Sequence, residues 1–61
     1  MNKQRRAILQ KIINSLDDVI SQEQDAYDNM PEGIRESERG ESTEQGLDNL
    51  NEAKDLIEET I

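Results

Sequence analysis

The stretch from Leu9 to Met30, LQKIINSLDDVISQEQDAYDNM, decides the fold. Within it, Leu9, Ile13, Leu16, Ile20, Glu23, Tyr27 and Met30 follow a strict 4-3-4-3-4-3 spacing. That is the spacing of an α-helical seam, here with one polar interruption at Glu23. A second stripe, Ile8, Ile12, Val19 and Ala26, runs beside the first. Two adjacent stripes make an apolar face wide enough to pack against more than one neighbouring helix.

Working outward, Asn2 is a suitable N-cap, and Pro31 closes the helix because a proline drives its predecessor out of the α region. The first helix is therefore expected over about 3–29, roughly 40 Å at 1.5 Å per residue. Residues 30–36, punctuated by Pro31 and Gly33, read as the connection, with Ile34 expected to tuck back onto the helices. Ser37 is then an N-cap, and Glu38 and Glu41 follow in the positive first turn of a second helix over about 37–61. Its seam is read as Leu47, Leu50, Ala53, Leu56, Ile57 and Ile61. Gly40 and Gly46 weaken this helix by up to about 1 kcal/mol each relative to alanine.

Two helices joined by a short connection form an antiparallel hairpin. Aligning the seams pairs positions whose numbers sum to about 66 or 67. Leu16 then faces Leu50, Ile20 faces Gly46 and Leu47, and Tyr27 lies by Gly40. In that register the glycines make room for a close helix contact. The basic residues Lys3, Arg5 and Arg6 come to the end that holds Glu58, Glu59 and the C-terminal carboxylate.

Composition narrows the classes of function. The chain has 61 residues, 31% of them hydrophobic, with a single tyrosine as its only aromatic residue and a net charge of −8. It has no Cys, His, Trp or Phe. A disulfide scaffold, a thiolate or imidazole metal site and His- or Cys-based catalysis are thereby excluded. The charge is uneven. Residues 1–11 carry Lys3, Arg5, Arg6 and Lys11 and no acid, a charge of +4. Residues 12–61 carry three basic and fifteen acidic side chains, a charge of −12.

Such an acidic surface disfavours nucleic-acid binding, whose affinity comes from cations on phosphates. There is no aromatic platform for stacking bases and no glycine-rich phosphate loop. No window approaches the roughly 18 apolar residues of a membrane span, and Gln10, Lys11 and Asn14 interrupt any signal-peptide core. A cytoplasmic protein is expected, with no catalytic residue, cofactor, metal or small-molecule substrate.

Three clusters invite a chemical reading. Asp25 to Glu36 can be laid on a calcium loop, but Tyr27 stands where a ligand belongs and Met30 where the turn needs glycine. These carboxylates are read as solvated charges. Glu23, the acid on the seam, reads as a side chain that snorkels to water. Lys3, Arg5, Arg6 and Lys11 form a basic patch at a helix N-terminus, where positive charge opposes the macrodipole. Pairing with the acidic end of the second helix, within the chain or across a dimer, is the expected compensation.

The elements Asp28-Asn29-Met30-Pro31-Glu32-Gly33, Ser37-Glu38-Arg39-Gly40-Glu41 and Leu47-Asp48-Asn49-Leu50-Asn51-Glu52-Ala53 resemble a group of short helical proteins of bacteriophages, prophages and their bacterial hosts. The similarity covers roughly residues 16–57, and the helix end before Pro31 carries only part of the group's acidic pattern. The resemblance implies a helical hairpin and an accessory role, and transfers no catalytic residue.

Below about 70 residues one core rarely supplies more than 3–5 kcal/mol, so self-association into an antiparallel four-helix bundle is expected. The interaction seam comprises Leu9, Ile12, Ile13, Leu16, Val19, Ile20, Tyr27, Leu47, Leu50, Ala53 and Ile57. A homodimer is the expected assembly, and a helix of another protein is the other candidate occupant. The alternative function is an acidic mimic of nucleic acid that blocks a nucleic-acid-binding enzyme.

Overall fold

A computed structural model describes all 61 residues, and its secondary structure is helix alone, with no strand. Helix α1 runs Lys3–Asp28, α2 is a single turn at Glu32–Arg35, and α3 runs Glu38–Thr60. Helices α1 and α3 lie side by side as an antiparallel hairpin 48 Å long and 15 × 10 Å in its other extents.

Each helix end has a local cause. The Asn2 side chain accepts a hydrogen bond from the Arg5 backbone N–H at 2.8 Å and so occupies one of the free donors of the first turn. At the other end, the Asn29 side chain donates to the Asp25 carbonyl at 2.8 Å, and Pro31 follows two residues later. Ser37 stands at the N-cap of α3 in extended conformation, but its hydroxyl donates backward to the Ile34 carbonyl and caps nothing. Glu38 and Glu41 are left to complement the positive end of that helix.

The core is very small. Ile13 and Leu47, 3% and 6% exposed, are the only buried apolar residues. Leu9, Leu16, Ile20, Tyr27 and Met30 of the first seam are half-buried, as are Leu50 and Ile57 of the second.

Several expectations need correction. The connection is not irregular throughout, because Pro31 starts the α2 turn with its carbonyl accepting from Ile34 and Arg35. Ile34 does not tuck in; the turn points it outward and it is exposed. The seam of α3 passes through half-buried Lys54, while Ala53 is exposed. Leu47, Leu50, Lys54, Ile57 and Ile61 keep the 3-4-3-4 spacing that Ala53 and Leu56 break.

The two side-chain contacts between α1 and α3, Asp17 with Lys54 and Tyr27 with Glu44, each join positions summing to 71, about one turn beyond the expected 66 or 67. Part of that offset is side-chain tilt toward each helix's own N-terminus. Gly40 is buried, yet its close neighbour is the backbone of Arg35 in α2, which an added Cβ would overlap. Nothing lies within 4 Å of a Cβ built at Gly46, so that glycine makes no close helix contact within the hairpin.

Candidate interaction surface

The hairpin has two unlike broad faces. At 100° per residue, Asp17 and Gln10 stand to one side of the buried line of α1, and Ile8, Ile12 and Val19 stand roughly a quarter-turn to the other. In α3, Glu44, Asn51 and Glu58 stand on the first side of the buried line, and Gly46 and Ala53 on the second. Equal offsets in two antiparallel helices fall on the same face, so the chain has one polar side and one apolar side.

The polar side is held by directed contacts. The Lys54 ammonium lies 2.6 Å from an Asp17 carboxylate oxygen and 3.8 Å from Glu58. Its hydrogen bond to Asp17 holds Lys54 above its ordinary value of 10.5; partial desolvation pulls the other way, and Asp17, Glu58 and Asp55 add electrostatic support. Toward the turn, the Tyr27 hydroxyl donates to Glu44 at 3.4 Å. The Gln10 amide donates to Asn14 at 3.2 Å and the Gln24 amide to Asp28 at 3.0 Å.

Arg35 closes the end of the hairpin. Its guanidinium lies 5.6 Å from the centre of the Tyr27 ring and donates to the carbonyls of Asp28 (3.4 Å) and Met30 (3.3 Å). A cation at a helix C-terminus is favourably placed against the macrodipole. Sequence reasoning missed both Arg35 and Lys54. Lys54 was visible as the seam position of the 3-4-3-4 pattern, whereas Arg35 has no periodicity to mark it.

The apolar side has no cover. Ile8 is 58%, Ile12 44% and Val19 45% exposed. With Lys11, Ser15 and Leu16 they line the groove on the outer surface of α1. Ala53 and Ala26 are exposed as well. The expected seam therefore divides into two sets of residues with different fates. Leu9, Ile13, Leu16, Ile20, Tyr27, Leu47, Leu50 and Ile57 are buried or half-buried, and Ile12, Val19 and Ala53 face outward.

Lys3, Arg5, Arg6 and Lys11 are all exposed, and none forms an ion pair within the chain. The compensation expected from Glu58 and Glu59 is not made inside the hairpin, where Glu58 is turned toward Lys54. Glu23 is exposed and has no hydrogen-bond or ion-pair partner in the chain; Glu23 and Gln24 straddle the seam between Ile20 and Tyr27. No three acidic side chains converge as a metal site. No helix is long and apolar enough to cross a membrane.

The arrangement is an exposed apolar stripe on α1 with an ion-paired polar side on the opposite face of the hairpin. Comparison with family models, curated proteins and solved structures finds no match for the chain.

Proposed function

We propose that this chain is a protein–protein interaction module that works by covering its apolar face, in the first instance with a second copy of itself. The observation that carries this reading is the open Ile8–Ile12–Val19 stripe on a hairpin with only two buried apolar residues. Fully burying such a side chain is worth about 1.5–3 kcal/mol, so closing this face contributes on the scale of the whole stability of a small domain. Two hairpins laid face to face would make a four-helix bundle whose polar faces, carrying the Asp17–Lys54 pair, remain in water.

Sedimentation equilibrium of the parent and of Ile12→Asp tests the assignment of the face. The parent is expected to sediment as a dimer. Ile12→Asp is expected to weaken association by at least about 2 kcal/mol, because a carboxylate at that position would lose its water on closure. A variant that associates as tightly as the parent removes this face from the interface.

A further inference from the structure

The apolar edge of α1 reads nearly the same in both directions. Arg5, Ile8, Ile12, Leu16, Ile20 and Glu23 are spaced 3-4-4-4-3, symmetrically about Asn14. Glu23 follows Arg5 by about five full turns at 3.6 residues per turn, so the two charges share one angular position on the helix. They stand at opposite ends of an apolar strip roughly 27 Å long. Both are exposed, and neither has an ion-pair partner in the hairpin.

A two-fold interface brings the same patch of each copy together, position i on j and j on i. Laid antiparallel on itself about Asn14, this edge sets Ile12 beside the partner copy's Leu16 position, with Ile8 on one side of the contact line and Ile20, half-buried against α3, on the other. Each end then brings a basic side chain to an acidic one. The wider charge distribution agrees. The first eleven residues carry +4, whereas the rest of α1 carries five acids, Asp17, Asp18, Glu23, Asp25 and Asp28, and no base. Running α1 alongside a parallel copy would put like charge on like along its length. The antiparallel arrangement also gives the basic residues of the first turns, which oppose their own helix dipole, an acidic neighbour that the hairpin does not supply.

We infer that the occupant of the apolar face is a second copy of this chain with its α1 antiparallel about Asn14, the register being set by two symmetric Arg5–Glu23 pairs. This rests on the self-association proposed above and adds its orientation and register.

A charge-swap cycle tests it. The dimer dissociation constants of the parent, Arg5→Glu, Glu23→Arg and the double variant are measured at low salt, with circular dichroism on the same samples. Each single reversal alters two pairs and is expected to weaken the dimer roughly tenfold. The double variant is expected to recover most of that loss, which only direct pairing of the two positions produces. Arg5→Glu puts an acid at the positive end of the helix and Glu23→Arg introduces a good helix former, so neither should lower helicity.

Losses that add in the double variant overturn the inference. So does a loss from Arg5→Glu alone, which would place Arg5 against the partner copy's α3 instead. A parent chain that stays monomeric at all concentrations removes the proposed self-association itself, a result distinct from a dimeric parent whose charge swap fails.

Discussion

At the scale of single residues, the two glycines of α3 separate two kinds of constraint. A Cβ at Gly40 would enter the Arg35 backbone, and backbone cannot move aside as a flexible side chain can. At Gly46 the space is open. Gly40→Ala is therefore expected to lower stability by about 2 kcal/mol or more, in the range of overpacked cores. Gly46→Ala is expected to raise it by up to about 1 kcal/mol through helix propensity. Urea denaturation of the two variants gives both signs. A loss at Gly46 would reveal a neighbour that the single hairpin lacks.

Lys54 provides a pH signature. A lysine raised on folding contributes stability that is fully present below its unfolded value and is lost as the pH climbs through the folded one. Its ordinary value is 10.5, so the contribution should persist through neutral pH and fade above that point. The stability difference between the parent and Lys54→Met, followed by denaturation from pH 8 to pH 12, should narrow at the alkaline end. A difference that stays constant across that range would mean the Asp17–Lys54 pair contributes nothing.

At the scale of elements, the tightest feature is the corner formed by α2. Arg35 binds the last carbonyls of α1 through its side chain, covers Tyr27, and places its own backbone against Gly40 of α3. One residue thus ties all three helices together. Arg35→Ala should cost about 1 kcal/mol, the range for exposed cation–π and charge-assisted contacts taken together. Amide hydrogen exchange should show the loss concentrated around residues 28–40, with the middle of α1 unchanged. A uniform loss of protection along the hairpin would mean that the corner is not a separate unit.

The helical hairpin itself was legible from periodicity, because a run from Leu9 to Met30 can meet the 4-3 spacing in only one secondary structure. Cap chemistry added Asn2 but misassigned the Ser37 hydroxyl, since a serine can bond forward or backward and sequence does not say which. The α2 turn escaped because four residues after a proline carry no period. Lys54 escaped because its charge argued against a seam position, although a long aliphatic stem lets lysine lie there with its ammonium at the edge.

At the scale of the whole molecule, the burial of apolar surface is incomplete. A rod 48 Å long with two buried apolar residues has almost no interior of its own, and its dry contact is a single line between two helices. Conformational entropy for fixing a residue is about 1–2 kcal/mol, a demand that so narrow a core meets poorly. The separation into a polar face fixed by ion pairs and an apolar face left open is what an element of a larger bundle needs.

Light scattering on the parent chain across a dilution series, with helicity followed on the same samples, tests this account most directly. The account predicts a helical particle of about twice the 7.0 kDa chain mass, dissociating on dilution with a parallel loss of helix. A monomer that is fully helical at every concentration would contradict it, because the hairpin would then be stable with its apolar face in water.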